Sequence, residues 1–463
     1  MAHPTAVINV VGLNQSLIGD WSPNLKLFVS TGNLQRLKPD MPAVTCTVQS
    51  SMLTGMKPSA HGVVGNGWYN REMCDIQFWE QSNNLVRGEK VWDTARKQDP
   101  SVTTLNMFWW FNMYSTADYS VTPRPIYKAD GRKLPDCYSN PPELRDELQK
   151  EFGQFPLFNF WGPGSSIKSS EWIANATMHA HEKLNPTLTL VYLPHLDYCL
   201  QKLGPDHPDI HEHVGDIDAI IGEMLQYFTD KGVRVIIVSE YGIEPVEDAI
   251  PINRMLRKNG SMCIREEDGL ELMDPGASDA FAVADHQIAH VYLRNPDDVS
   301  KYALLCRAMP GVDQVYRRED QARFGLNHDR SGDLLLVANE KRWFCYNYWL
   351  EDRRAPDFAR TVDIHSKPGY DPLELFIDPM ITFPWLFVPM KLFRRKVLHQ
   401  RTLLDVIPLD PKLVKGSHGR IRQPDPIQPV VITQRHHRDD RDQIACQEVR
   451  NLILQHLFEN EGW

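Results

Sequence analysis

Cysteine is sparse in this chain: eight residues are scattered over 463 positions and no two form a C-x-x-C pair. That spacing offers neither a disulfide framework nor a paired-thiolate zinc site. Positive charge is also in deficit. Fifty Lys and Arg face 60 Asp and Glu, a net charge of −10, which argues against a nucleic-acid polymer as partner. The N-terminus, MAHPTAVINVVGLNQ, lacks a basic n-region, and no apolar run is long enough to span a bilayer, so a cytoplasmic location is expected. FIDPMITFPWLFVPMKLF at 376–393 comes nearest, but three prolines and Asp378 interrupt it. It is expected to pack inside the protein, with membrane contact as the alternative. Internal repeats and low-complexity segments are absent too.

What is present reads as one large α/β domain over 1–463. The segments 6–13, 188–193 and 233–238 are near-continuous apolar runs, the pattern of strands buried on both faces of a parallel sheet. Each ends in a polar cluster, and ligands bind at the C-terminal edge of such sheets. Helices are expected from Pro23 to about Thr31, from 209 to 231 and at IACQEVRNLILQHLF, with a strand at 333–337. The last helix is amphipathic and should dock on the core, with a homodimer partner as the alternative. Residues 69–180 hold dense aromatics, prolines and basic residues in no regular period, and read as a cap of loops over the sheet edge. Trp109, Trp110, Arg124 and Tyr127, with Lys133, could clasp an aromatic or anionic substrate there; sealing a small hydrophobic core is the structural alternative. Residues 421–463, which include the polar run 435–441, read as a C-terminal extension.

The densest chemistry lies in MPAVTCTVQSSMLTGMKPSAHGVVGNGW, 41–68. Thr45 opens a short helical run, where unpaired N–H groups and the positive end of the dipole favour an anion. Thr54-Gly55, Pro58-Ser59-Ala60-His61-Gly62 and Asn66 follow at set offsets. This spacing resembles the type I phosphodiesterase/nucleotide pyrophosphatase family of the alkaline phosphatase superfamily. The resemblance runs over roughly 6–420. It implies an alkaline-phosphatase-like three-layer sandwich with a largely parallel central sheet flanked by helices. It also implies Thr45 as nucleophile, a phospho-threonine intermediate, Asn66 on the phosphate, and two divalent metal ions, with zinc expected and Mn or Mg as alternatives. The implied substrate is a small phosphodiester, phosphomonoester or phosphonate.

The metal positions depart from the family pattern. Asp197 and Gly204-Pro205 match, but the family histidine near them is Gln201. The Ser-Asp-His-Gly motif reads Ser239-Glu240-Tyr241-Gly242, and the Asp before the first Gly is Val11. Glu240 remains a hard oxygen ligand. Asp285, His286 and His290 have ligand-type spacing, although the strand-like AHVYL would split them. The last ligand is His365 or His418, both in suitable sequence contexts. Two readings result: a hydrolase with a rearranged metal site built from Asp197, Glu240, Asp285, His286, His365 and His418, or a ligand-binding or scaffold protein that keeps the fold. A sulfatase-like or phosphomutase-like relative is a weaker third, because Cys46-Thr47 lacks the Pro and Arg of the sulfatase motif.

Overall fold

The computed structural model describes residues 2–130, 132–397, 402–421, 424–434 and 441–459. Nine strands form the central sheet: β1 (Thr5–Val10), β2 (Asn33–Lys38), β3 (Thr104–Met107), β4 (Tyr119–Pro123), β5 (Cys137–Asn140), β6 (Leu188–Leu193), β7 (Arg234–Val238), β8 (Val430–Thr433) and β9 (Gln443–Ala445). Their spatial order is β9-β2-β8-β7-β1-β6-β3-β4-β5. Strands β7, β1, β6, β3 and β4 are parallel neighbours, and β8 and β5 run antiparallel to theirs. The expected apolar runs are its centre: every residue of β1 and β6 is buried. Side chains that alternate between two covered faces must both be apolar, hence the unbroken hydrophobicity. Apart from Thr5 at its start, Asn9 is the one polar residue of β1, level with Val238 and Tyr192 near the C-terminal ends of three strands.

The connections after these strands build the site. Helix α1 (Thr45–Thr54) follows β2, helix α2 (His195–Leu203) follows β6, and Ser239-Glu240-Tyr241 leaves β7. Gly55 ends α1 at φ +68°, a left-handed cap from which its N–H returns to Ser51 O at 2.8 Å. Gly242 is required by space: a Cβ there would lie 1.6 Å from Ile427 O. Helix α3 (Ile210–Asp230) packs on α2 and β7. A second, antiparallel sheet of Ala280–Asp285, Ile288–Leu293, Leu334–Ala338 and Val312–Arg317 has its own core. Its first hairpin turns at His286-Gln287, which carries Asp285 and His286 towards the main sheet's edge and leaves His290 mid-strand. The expected ligand-type grouping of these three is therefore split: His290 Nε2 meets Val64 O at 3.0 Å and its Nδ1 accepts from Gly332 N–H at 3.1 Å.

Three readings are corrected. Residues 69–180 are not only draped loops: they supply β3, β4, β5 and helices at Val91–Gln98, Pro142–Phe152 and Lys168–Leu184. The strands there are short and flanked by prolines and aromatics, which hides their period. Residues 421–463 contribute β8 and β9 and end in α4 (Glu448–Phe458), which packs on α1 and β1 through buried Val449, Leu452, Ile453 and Leu457. Each such side chain contributes about 1.5–3 kcal/mol when fully buried, enough to seat the helix on this chain's own core. Positions 435–440 of the polar run lie outside the described residues. The 376–393 segment is not buried: Pro384–Lys396 is a helix with Pro389 inside it, and Met380, Phe383, Trp385, Leu386 and Phe393 are exposed. Among the described residues, no helix is long and apolar enough to cross a membrane.

Candidate active site

Thr45 is the first residue of α1, preceded by Val44, whose side chain cannot cap the helix. Its Oγ1 lies 2.9 Å from the Tyr241 hydroxyl, and that hydroxyl donates to Asp197 Oδ1 at 3.2 Å. With the Tyr241 proton directed at the carboxylate, Thr45 is the donor to Tyr241. Gln201 Nε2 donates to Asp197 Oδ2 at 2.9 Å, and the Tyr370 hydroxyl donates to Gln201 Oε1 at 2.9 Å. The next N–H along α1, that of Cys46, donates to Asn66 Oδ1 at 3.0 Å. Asp285 in turn accepts from Asn66 N at 2.7 Å and from Asn66 Nδ2 at 3.0 Å. Thus the two groups expected to face a phosphate, the Cys46 N–H and the Asn66 amide, are bonded to each other, and Asp285 serves as the orienter of Asn66.

Glu240 is held differently from the carboxylate it replaces. Its Oε1 accepts from Asn9 Nδ2 at 2.6 Å and from Gln49 Nε2 at 2.5 Å. Burial raises all three carboxyls: Asp197 and Asp285 to about 7 and Glu240 to about 8, with the amide and hydroxyl donors pulling partly back. Asn9, Gln49 and Tyr370 were not read from the sequence as site residues. A detectable signal existed for Asn9, the lone amide inside an apolar strand; Gln49 and Tyr370 gave none.

Two histidines complete the cluster. The His418 ring stacks on Tyr241 at 3.5 Å between centroids and 6° between planes, His286 lies 3.6 Å from His418, and Tyr370 stacks on His286 at 3.7 Å. His418 Nδ1 donates to Ala43 O at 2.8 Å, which leaves Nε2 as the unprotonated nitrogen. Among the described residues that atom is buried without a hydrogen-bond partner, and it lies 3.9 Å from Asp197 Oδ1. His286 Nε2 lies 3.9 Å from Asp285 Oδ1. Burial depresses the His418 imidazole to about 3, so it is neutral. His365 is elsewhere: its Nδ1 meets Phe78 O at 3.1 Å and its ring lies edge-on to Tyr127.

A cavity of about 1390 Å³ rises from Thr45, Asp197, Tyr241 and His286 between walls of Trp79, Trp110, Tyr127, Phe158, Tyr370 and Val388, with His365 and Lys133 farther out. Trp110 and Tyr127 therefore line it as expected. Trp109 does not: it is fully buried in the main core and donates from Nε1 to Val191 O at 3.0 Å. Arg124 is also off the wall, with Nη1 on Gln81 Oε1 at 3.2 Å.

Among the described residues, the donors of one expected metal position fit a divalent cation, and those of the other are depleted. Asp197 and the orphaned His418 Nε2 form an oxygen–nitrogen pair suited to zinc or manganese. At the other position Val11 is apolar, Tyr241 is engaged with Thr45 and Asp197, and two amides already satisfy Glu240 Oε1, which leaves Glu240 Oε2 as the one buried donor there without a partner among the described residues.

Comparison with known proteins agrees with this architecture. An uncharacterised pyrophosphatase/phosphodiesterase of Schizosaccharomyces pombe is 24% identical over 245 residues, 49% of this chain and 42% of that protein. Ectonucleotide pyrophosphatase/phosphodiesterase family member 1 of Mus musculus is 23% identical over 255 residues, 52% of this chain and 24% of that protein. The chain thus spans less than half the length of these curated relatives. Among solved structures, phosphonoacetate hydrolase from Sinorhizobium meliloti, in complex with phosphonoformate, superposes with a TM-score of 0.62 at 16% identity, covering 98% of this chain and 95% of that one. Murine ectonucleotide pyrophosphatase/phosphodiesterase 5, in complex with AMP, gives 0.59 at 12% identity, covering 100% and 97%. These likenesses establish the α/β fold. The profile of the type I phosphodiesterase / nucleotide pyrophosphatase family matches residues 5–371, and the chain belongs to that family.

Proposed function

We propose that this protein hydrolyses a small phosphoric or phosphonic ester with Thr45 as nucleophile and a phospho-threonine intermediate. The observation that carries the reading is the position of Thr45 Oγ1 at the N-terminus of a buried helix, on the floor of the large cavity and fixed 2.9 Å from Tyr241. With its proton committed to Tyr241, the Oγ1 lone pairs are available to attack phosphorus. The Thr45–Tyr241–Asp197 chain gives that proton a path to a carboxylate. The Oγ1–P bond forms as the bond from phosphorus to the leaving oxygen (carbon, in a phosphonate) breaks, and the leaving atom takes up a proton from Asp197 or solvent; water then attacks phosphorus, releasing phosphate or its monoester and leaving a proton on Thr45 Oγ1. An incoming phosphoryl oxygen would take the Cys46 N–H from Asn66, whose side chain Asp285 keeps at the site. A cation held by Asp197 and His418 would supply Lewis acidity towards phosphorus. The aromatic walls suit a planar or apolar leaving group.

A second reading, a binding protein on the same fold, is favoured by one observation: Glu240, Asp197 and Asp285 all accept from neutral donors of the chain itself. Hydrolysis of a p-nitrophenyl phosphodiester by wild type and Thr45→Ala, with Zn²⁺ or Mn²⁺ and after chelation, separates them. Turnover lost in Thr45→Ala, with phosphate trapped on Thr45 by acid quench, is expected. AMP binding with no Thr45-dependent turnover would establish the binding protein instead.

A further inference from the structure

Helix α2 carries a second cluster of metal-type ligands on the side of its axis away from Asp197. His195 and Cys199 are one helical turn apart, a spacing of four that places both on one face. Cys199 Sγ lies 3.7 Å from His195 Nε2. The third member, His213, projects from the first turns of α3, which packs on α2, and its ring centroid is 5.1 Å from that of His195. One ligand atom from each of the three lies within 4.8 Å of the others.

Two further features distinguish this cluster from a chance gathering of polar groups. His195 is 2% exposed, and a ring nitrogen on each imidazole, Nδ1 of both His195 and His213, is buried without a hydrogen-bond partner. Two unpaired imidazole nitrogens are costly in an apolar setting, since a buried acceptor left unsatisfied forfeits its hydration. A metal ion removes that cost at the nitrogen it binds; on His195 the nitrogen that faces Cys199 Sγ is Nε2, whose partner is the thiol. The donor chemistry is also selective: two imidazoles and a thiolate make a borderline-soft set, whereas Asp197 and His418 offer oxygen and nitrogen.

We infer that His195, Cys199 and His213 bind one zinc ion, with water as the fourth ligand, at a site separate from the catalytic cavity. Binding replaces the thiol proton of Cys199 with the metal and releases that proton to solvent. The ligand atoms must draw together by about 1 Å to reach zinc-site spacings of roughly 3.3–3.5 Å, the separations that follow from tetrahedral bonds of about 2.0–2.3 Å. Side-chain rotation of His213 and Cys199, both only partly buried, supplies this. The ion would tie α2 to α3. Because Asp197 lies on α2 between His195 and Cys199, the zinc site acts as a clamp on the helix that presents the carboxylate to Tyr241.

Cobalt(II) substitution of the full-length, chelator-treated protein tests the assignment, because a thiolate–cobalt bond gives a near-ultraviolet charge-transfer band that oxygen and nitrogen ligands do not. One equivalent of band is expected in wild type. It should disappear in Cys199→Ser, weaken at least tenfold at equal cobalt in His213→Asn, and persist in His418→Ala and in Cys74→Ser and Cys263→Ser, which remove the two exposed cysteines. Added Zn²⁺ should abolish the band, and it should raise the melting temperature of His418→Ala, which lacks the other cation site, but not that of the double variant His418→Ala, His213→Asn. A cobalt complex of wild type without the thiolate band, or a band unchanged in His213→Asn, overturns the proposal, and this holds even if Cys199→Ser fails to fold.

Discussion

Replacing Tyr241 by phenylalanine isolates the hydroxyl that joins Thr45 to Asp197. The ring itself can stay, because it stacks 3.5 Å from His418 and is 1% exposed, so packing is conserved and no cavity larger than one oxygen opens. Two hydrogen bonds are lost, at 2.9 and 3.2 Å, the second to a buried carboxyl. A neutral bond contributes about 0.5–1.5 kcal/mol net and one to a charged group about 1.5–3 kcal/mol. The variant should therefore lose on the order of 2–4 kcal/mol of stability, a downward shift of a few degrees in a thermal melt. Its effect on turnover is larger if the hydroxyl orients the nucleophile. Thr45 Oγ1 then rotates freely and its proton loses its path, so kcat should fall by about 10²–10⁴-fold, the range of a positioned proton-transfer group. KM should change little, since the cavity walls are untouched. Steady-state kinetics on a p-nitrophenyl phosphodiester at fixed metal measures both. A variant that melts lower yet keeps kcat within threefold of wild type would refute the reasoning, because the hydroxyl would then be a packing contact alone.

Other perturbations test the remaining contacts. Chelation should remove a cation from the catalytic cluster, and His418→Ala should lower bound zinc by one equivalent by elemental analysis; an unchanged content would show that Asp197 and His418 do not form a site. The double variant Val11→Asp, Tyr241→His restores the family's ligand types and should gain one equivalent of zinc; without metal, it should melt well below wild type, because the new Asp takes the place of a fully buried valine. His290 gives a pH test. Burial lowers its folded pKa to about 4 against about 6.5 unfolded, so the unfolded state holds more protons between those values. Its contribution is complete above pH 6.5 and is lost as pH falls towards 4. Wild-type stability relative to His290→Asn should then fall by roughly 1 kcal/mol per pH unit from 6 to 5, measured by urea denaturation; a constant difference would contradict a neutral buried imidazole.

The fold was legible where one physical demand acted alone. Strands β1, β6 and β7 lie between covered faces, which favours apolar residues at nearly every position, so their sequences show it. Helix α3 was equally plain from its single buried stripe. Strands β3, β4 and β5 were hidden because they are four or five residues long and adjoin residues with other duties, such as Trp109, which fills core behind β6. At the candidate site, offsets along the chain pointed to Thr45, Asn66 and Asp197, which the fold brings together, since their spacing is fixed by local turns. The choice between His365 and His418 depends on how the chain returns from the second sheet, which no local pattern records. Asp285 shows the same limit: its residue type suggested a ligand, but the hairpin aims it at Asn66.

The altered residues around Glu240 are best understood together. A buried carboxyl needs a counter-charge, a proton or several donors. In a two-cation site the metal supplies the first. Here Val11 and Tyr241 remove two ligands of that metal, while Asn9 and Gln49 bring two N–H donors to within 2.6 Å of the single oxygen Oε1. Burial raises the same carboxyl to about 8, so a proton is at hand near neutral pH. Each change alone would leave an unbalanced group, a ligand without a metal or a carboxyl without a donor. Made together they reduce the site's need for a second cation, although Glu240 Oε2 stays buried without a hydrogen-bond partner among the described residues. On the proposed reading, activation of Thr45 falls to Tyr241, which stands in the sequence position of a lost metal ligand and lies 2.9 Å from the Thr45 hydroxyl.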